Sequence, residues 1–266
     1  MPRLGVNIDH VATLREARRV LRADGLLVFS SHNRAYVRAE AGPRLRQEVH
    51  VRLNQELAPI DEMVELALKL HPHEVCLVPE RRQEITTEGG LDAAGFSARL
   101  APMIEQLKQA GIGVSLFIDP EPHQIEAAAA MGAEFVEIHT GAYANLADKD
   151  LAEHYLTGVD SPRALTAAKV KPGEATAAEL RKIRDAVKSA RALGLKPNAG
   201  HGLNYGNVAP IAALAGIQWL HIGHAIVARA ISVGMSRAVS EMLALVDIGR
   251  AAVPRARAGG VRAARR

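Results

Sequence analysis

Three polar clusters stand where a strand-like run of the sequence ends and a helix-like run begins. They lie at Gly5 to His10, at Phe135 to Gly141 and at Asn198 to Leu203. Two shorter polar segments, Arg52 to Ala58 and Ile222 to Ile226, resemble them. Such strand ends are where α/β enzymes hold their reactive groups. Because the clusters are rich in carboxylates and imidazoles, they indicate acid–base chemistry.

Two glycine–histidine pairs suggest what the substrate carries. His201-Gly202 and Gly223-His224 each follow a strand-like run and lead into a helix-like segment. Glycine lets backbone N–H groups approach a ligand closely, and a helix N-terminus favours an anion. A left-handed turn alone explains either pair equally well. Two such pairs at consecutive strand ends favour a phosphate site.

The elements that must position these groups form a regular series. Strand-like runs of β-prone residues lie near 3–8, 25–30, 50–54, 74–78, 113–118, 134–139, 195–198 and 218–222. Segments with helical spacing of apolar residues separate several of them, at 61–70, 96–110, 122–131, 176–193 and 205–215. Eight βα units predict an α/β fold of the TIM (β/α)8 barrel type. The main alternative is an open doubly wound sheet, but no GxGxxG follows the first strand.

Alternation within the strands predicts a polar barrel interior. Arg52 and Glu56 share one face of the third strand, and Glu137 and His139 share one face of the sixth. If helices cover the apolar faces, these polar faces point inward. Burying a charged side chain costs on the order of several kcal/mol unless an opposite charge compensates it. A bound polar ligand is the favoured reason for these residues, and a structural layer of Arg and Glu is the alternative.

Composition limits the class of protein. The 266 residues suit one domain, predicted over 1–248, and the net charge of +4 arises in an acid-free, arginine-rich segment at 249–266 predicted to be disordered. A nucleic-acid role for that tail is the weaker alternative, since it lacks aromatic residues. The single Cys76 is consistent with a reducing cytosol and a core position. There is no signal-peptide pattern and no apolar run of about 18 residues, so we expect a cytoplasmic protein without membrane contact.

Other chemistries have less support in the sequence. A metal site is conceivable if the polar residues of several strand ends converge, namely Glu137, His139, His201 and His224, but no HExxH or similar tight spacing is present. Nucleophilic catalysis is disfavoured, because Cys76 lies inside a strand and no GxSxG occurs. Lys196 could serve an aldolase as a Schiff-base lysine, although it precedes the strand end.

Long motifs in this chain resemble the pyridoxine 5′-phosphate synthase family. They are GVNIDHVATLREAR at 5–18, LVPERRQEITTEGGLD at 77–92, GVSLFID at 113–119, FVEIHTGAYA at 135–144, NAGHGLNYGNV at 198–208 and IGHAIVARA at 222–230. The resemblance implies a TIM barrel with extra helices, a homo-octamer, and no metal or organic cofactor. It also implies condensation of 1-deoxy-D-xylulose 5-phosphate with 3-amino-2-oxopropyl phosphate to pyridoxine 5′-phosphate, inorganic phosphate and water.

The same resemblance implies roles for individual residues. Glu56 matches an acid–base carboxylate, Glu137 a second carboxylate acting in the transition state, and His201 the proton donor. Positions that match substrate-binding and anion-binding residues are Asn7, Asp9, His10, Arg18, Thr86, Gly202, Gly223 and His224. Asp9 alone would also suit a helix N-cap, Arg18 a solvated helix position and Thr86 a turn.

The segment 19–47 departs from the family pattern, so the first βα unit is predicted to be atypical. Phe29 stands where the family has a catalytic histidine, and Ser31 where it has an arginine. His32 and Arg34 lie nearby as possible substitutes. The alternative function is therefore a catalytically impaired relative that still binds phosphorylated ligands.

Overall fold

The computed structural model describes residues 3–7, 26–30, 51–79, 89–156 and 171–252. Within these ranges, side chains are described for 51–79, 89–152 and 171–252.

Eight parallel strands form the centre of the molecule. They are β1 (Arg3–Asn7), β2 (Leu26–Ser30), β3 (Arg52–Leu57), β4 (Glu74–Leu77), β5 (Gly113–Ile118), β6 (Phe135–His139), β7 (Lys196–Gly200) and β8 (Trp219–Ile222). Each strand pairs with the next in the sequence, and β8 pairs with β1 to close the ring. The predicted α/β class with a parallel sheet is confirmed.

Eight helices surround the ring within the described part of the chain. They are α1 (Asp61–Leu70), α2 (Ser97–Gln109), α3 (Pro122–Ala130), α4 (Gly141–Leu156), α5 (Glu174–Ala192), α6 (Val208–Ala212), α7 (His224–Val233) and α8 (Met235–Ala251). The strand β8 is thus followed by two helices rather than one. Segments that would follow β1 and β2 lie largely outside the described residues.

Strand alternation separates an apolar face from a polar face. The apolar face carries Val75, Leu116, Val136 and Leu220, all fully buried in the core shared with the helices. Residues of the other face pair in register across neighbouring strands, as in Asn54↔Glu74, Phe117↔Glu137, Glu137↔Asn198 and Gly200↔His221. Since the helices cover the apolar face, this polar set lines the inside of the ring.

One inward residue has a different role from the predicted one. Arg52 lies at the amino end of β3, where its guanidinium forms an ion pair with the buried Glu74 of β4. Catalytic groups of such barrels lie at the opposite, carboxyl end of the strands. The structure therefore favours the alternative for Arg52, a structural ion pair, and gives it the partner Glu74 instead of Glu56.

In the sequence, Pro162, Pro172 and Gly173 predict an extended loop at the barrel mouth over 144–175, and this prediction is wrong for most of the described part. Residues up to Leu156 belong to α4, and α5 begins at Glu174. The reason is a buried stripe at helical spacing, Tyr143, Ala144 and Ala147. Residues 157–170 lie outside the described part.

The register of β2 changes the interpretation of Phe29. Backbone pairing places Phe29 beside Gln55 and Ser30 beside Glu56. Since Glu56 belongs to the inward set, position 30 rather than 29 shares its face. The nearby Ser31, His32 and Arg34 lie outside the described residues.

The carboxyl-terminal boundary also differs slightly from the prediction. Helix α8 extends to Ala251, so the first residues of the segment 249–266 are helical. Residues 253–266 are outside the described part. Among the described helices, none is long and apolar enough to cross a membrane.

Candidate active site

The structure places only part of the predicted site. Glu56, Glu137 and His201 lie on or directly after β3, β6 and β7, and Gly202, Gly223 and His224 follow β7 and β8. Asn7 ends β1, with only its backbone described. Asp9, His10, Arg18 and Thr86 lie outside the described residues.

Glu137 is held by a second buried ionisable group, His221 of β8. The His221 Nδ1 atom lies 2.7 Å from Glu137 Oε2, and each residue is 3% exposed. The Cys76 thiol is also within hydrogen-bond distance of the same oxygen, at 3.6 Å. Burial acts to raise the pKa of Glu137, but the charge and hydrogen bond of His221 outweigh it and lower that pKa. The carboxylate is therefore kept ionised inside the ring.

His139, at the carboxyl end of β6, is fixed by Asp119. Its Nδ1 atom lies 2.8 Å from Asp119 Oδ1, and the same oxygen accepts a hydrogen bond from the backbone N–H of Gly90 at 3.1 Å. The hydrogen bond from His139 lowers the pKa of Asp119. Asp119 thus links the His139 imidazole to the backbone of Gly90, in the segment that follows Thr86.

His201 has an unusual backbone that Thr140 supports. His201 and Gly202 have φ of 77° each, a left-handed conformation that is costly for a residue with a Cβ. The Thr140 hydroxyl lies 2.7 Å from both Gly200 O and His201 O, which share its single O–H donor, and its backbone N–H donates to Gly200 O at 2.9 Å. Backbone strain of this kind concentrates at functional sites, where the surroundings hold it in place.

The imidazoles of His139 and His201 are close neighbours. Their ring centroids are 5.0 Å apart, and the Phe117 ring lies 5.0 Å from His139 and 5.9 Å from His201. Gly141 leaves the space for this cluster, since a Cβ there would lie 3.3 Å from His201 Cδ2 and closer still to His139 Nε2. The proton-transfer candidate His201 therefore has a defined orientation.

Glu56 joins the same region from the far side of the ring. It is half-buried on β3 and pairs in register with Cys76. Its charge acts to raise the pKa of the Cys76 thiol, after burial and the charge of Glu137, and also the pKa of His221. The ring interior thus brings Glu56 and Glu137 into electrostatic contact with the same groups.

The two glycine turns have the features of anion sites. Gly202 follows His201 with positive φ, and its α-carbon faces the Ala144 methyl, where an added Cβ would come within 2.7 Å. Gly223 is the N-cap residue of α7, and no side-chain hydrogen bond caps that helix. Uncapped N–H groups at a helix start are suited to a phosphate.

Lys196 does not lie at this end of the ring. It begins β7, its Nζ forms an ion pair with Glu134 at 2.6 Å, and it lies over the Phe135 ring. This arrangement indicates a structural lysine. Among the described residues, no group of three or more His, Cys, Asp or Glu side chains is arranged to hold a metal ion.

Sequence reasoning missed three residues of this site. Asp119 ends the GVSLFID motif and Thr140 lies within EIHTG, so both stood in recognised segments. His221 gave a weaker signal, a single polar residue in an apolar strand. Its partner Glu137 is 84 residues away, so only the closed ring brings the two together.

Comparisons with known proteins agree with this geometry. The sequence model of the family described as pyridoxal phosphate biosynthesis protein PdxJ matches residues 4–248. The chain belongs to this family.

Relatives of known name support the same conclusion. A pyridoxine 5′-phosphate synthase of Parasynechococcus marenigrum is 45% identical over 93% of this chain and 95% of its own. One from Dechloromonas aromatica is 46% identical over 92% of this chain and 97% of its own. A solved 4-hydroxy-2-oxoglutarate aldolase/2-deydro-3-deoxyphosphogluconate aldolase from TTHB1 has a TM-score of 0.54 at 14% identity, over 90% of this chain and 92% of that one. This last likeness concerns the fold alone.

Proposed function

We propose that this protein is a pyridoxine 5′-phosphate synthase. It condenses 1-deoxy-D-xylulose 5-phosphate with 3-amino-2-oxopropyl phosphate and releases inorganic phosphate and water. The observation that carries the proposal is that the Glu137 carboxylate lies against Gly200, which directly precedes His201 at the carboxyl end of β7, in a chain of this family. The two relatives named above carry the same activity in their names.

The proposed chemistry needs several proton transfers. Imine formation, enolisation, elimination and ring closure each move a proton, and groups with different pKa values can act as acid and base in turn. Glu56, half-buried and nearer the open end of the ring, is the acid–base carboxylate. His201 is the proton donor. Glu137, ionised within the ring, stabilises positive charge that develops on the imine nitrogen.

Binding of the two phosphorylated substrates is assigned to the strand ends. The turns at Gly202 and at Gly223 with His224 hold phosphate oxygens through backbone N–H groups, as their backbone conformations suit. The remaining substrate contacts are assigned to Asn7, Asp9, His10, Arg18 and Thr86.

The larger organisation is proposed on the same basis. Residues 1–248 form one (β/α)8 barrel domain with extra helices and an atypical first βα unit. Beyond the end of helix α8 at Ala251, the arginine-rich end of the chain is a tail outside the barrel. The protein acts in the cytoplasm as a homo-octamer, needs no cofactor, and has small phosphorylated molecules rather than nucleic acid or membranes as partners.

Turnover by the purified full-length chain tests this function. Incubation with both phosphorylated substrates is expected to give pyridoxine 5′-phosphate, followed by mass. Glu56→Gln is expected to lower kcat by about 10²–10⁴-fold, the usual contribution of a general acid–base group. Its melting temperature should stay close to that of the unmodified protein, because Glu56 is only half-buried.

Lys196→Met is the matched control, a charge removed from the other end of the ring. Its turnover should stay within about twofold, since an exposed ion pair contributes little. Full activity of Glu56→Gln would contradict the assigned role of Glu56. Loss of activity in Lys196→Met alone would favour an aldolase-type Schiff base.

A further inference from the structure

His221 and Glu137 form a buried ion pair inside the ring, below the predicted proton donor. The pair joins β8 to β6 through the 2.7 Å contact of Nδ1 with Oε2. Glu137 carries a proposed catalytic role, whereas nothing in the motifs assigns one to His221.

We propose that His221 is a positioning residue for the reaction: as an imidazolium it keeps Glu137 ionised and fixes which carboxylate oxygen is turned toward the residues next to His201. The inference rests on the proposed function, because it concerns how Glu137 serves that reaction.

The charges around His221 favour its cationic form. Glu137 faces it from β6, Glu56 acts on it from β3, and Glu74 acts on it from β4. Glu137 also contacts the neutral Cys76 thiol of β4 through the same oxygen, and it interacts electrostatically with the His201 imidazole after β7. His221 is thus one imidazole among three carboxylates. A buried carboxylate without such a partner would take up a proton instead of remaining charged.

The geometry also separates the two oxygens of Glu137. Oε2 is used by His221 and by the Cys76 thiol. Oε1 lies against the α-carbon of Gly200, so closely that a methyl group there would overlap it. Gly200 directly precedes His201, so the oxygen that is not bonded to His221 lies beside the chain that carries the proton donor.

The pair has a defined pH dependence. Burial acts to lower the pKa of His221, but the charge and hydrogen bond of Glu137 outweigh it and raise that pKa, while the pKa of Glu137 is lowered. The stabilisation from His221 is full below its unfolded pKa of about 6.5 and is lost as pH rises through the raised folded pKa. That from Glu137 is full above its unfolded pKa of about 4.3 and is lost as pH falls through the lowered folded pKa. Both contributions are complete between these two unfolded values.

Two variants of the full-length protein test the proposal. His221→Asn keeps a hydrogen-bond donor near the Nδ1 position but removes the charge, and Glu137→Gln removes the partner. The readouts are the pH profile of kcat/KM and the melting temperature across pH. His123→Asn, an exposed histidine on α3, is the matched control.

We expect His221→Asn to move the acidic limb of kcat/KM to higher pH by about one unit, because Glu137 loses the nearby cation. The melting temperature should fall by at least about 5 °C near pH 6. This deficit should shrink as pH rises, when the unmodified protein loses its imidazolium. The double variant should be less destabilised than the sum of the single ones, since the amides replace a charged pair.

The outcomes separate the possible failures. A lower melting temperature with an unmoved acidic limb would show a merely structural pair and overturn the proposal. A deficit that is independent of pH, or equal to that of His123→Asn, would overturn it as well. If the unmodified protein makes no product, the proposed function fails, while the pH dependence of the melting temperatures still shows whether His221 is the cation of the pair.

Discussion

At the residue scale, the site depends on small groups as much as on the reactive ones. Thr140 fixes the end of β7 through two hydroxyl contacts, and Gly141 makes room for two imidazoles. Asp119 fixes His139 from the neighbouring strand. The side chains proposed to be reactive are thus oriented by residues to which no chemical role is assigned.

Gly200 gives a prediction at this scale. Gly200→Ala would place a methyl group where Glu137 Oε1 lies, and the contacts with His221 Cβ and O, both 3.1 Å, leave no alternative space. We expect kcat to fall by about 10²-fold, since misplacing a group by about 1 Å can cost that much. The measurement is steady-state kinetics of the purified variant.

Gly113→Ala is the control for this substitution. Gly113 is also a strand glycine, but it lies at the amino end of β5, and its nearest contacts are side-chain atoms 3.2–3.4 Å away. The kcat of the Gly113→Ala variant should equal that of the unmodified protein. An equal loss in both variants would mean that Gly200→Ala disturbs the ring in general.

Residue types at the strand ends could be predicted from motifs, whereas their partners could not. Glu137 and His201 stand in EIHTG and AGHG, so the sequence marked them. His221 looked like an isolated polar residue in a strand. Its proposed role follows from burial next to Glu137, which depends on how the ring closes.

At the element scale, periodicity predicted helices well where one face is apolar. Helix α1 spans the predicted Asp61–Leu70, with Met63, Val64, Ala67 and Leu70 buried. Helix α4 was missed, because its polar residues and the prolines that follow suggested a loop. A helix that buries mostly alanines gives only a weak apolar signal in the sequence.

The ion pair between β3 and β4 gives the prediction at this scale. Arg52→Met would leave Glu74, only 1% exposed, without its cation. We expect a loss of about 2 kcal/mol in the free energy of unfolding, less than the usual cost of breaking a fully buried pair, because the Arg52 side chain is 48% exposed. Chemical denaturation at neutral pH is the measurement.

Lys188→Met is the corresponding control on α5. Lys188 and Asp185 form an ion pair in which the side chains are 68% and 72% exposed. Its removal should change the unfolding free energy by no more than about 0.5 kcal/mol. If Arg52→Met lost as little stability as Lys188→Met, another group would have to compensate the charge of Glu74.

At the scale of the whole molecule, the closed ring shields its interior from solvent. Cys76 is the chain's one cysteine and is fully buried on β4. Burial raises the pKa of its thiol, and the charges of Glu137 and Glu56 raise it further. Since the thiolate is the reactive form, Cys76 should be inert in the folded protein.

Thiol labelling checks this prediction. We expect the native protein to react with an exposed-thiol reagent at least about 100-fold more slowly than the unfolded chain, because labelling requires opening of the ring. The rate should rise steeply with denaturant near the unfolding transition. Fast labelling of the native protein, at a rate independent of denaturant, would contradict a closed ring around Cys76.

The whole chain also bears on the alternative of an impaired relative. The family match includes the segment 19–47, and none of the comparisons favours that alternative. In the backbone of β2, moreover, Phe29 pairs with Gln55 and not with the inward Glu56. Sequence alignment alone could not assign these faces, because a shift of one residue in a strand exchanges its two sides.

The sequence by itself determined the family and the parallel α/β class, and it predicted the three proton-transfer residues, because these depend on local motifs and on periodicity along the chain. The tertiary structure decided which polar residues pair. In the structure, Arg52 pairs with Glu74, Lys196 with Glu134 and His221 with Glu137. The physical reason is that inward residues meet across a closed ring, where register and burial, rather than distance along the chain, set which charges compensate each other.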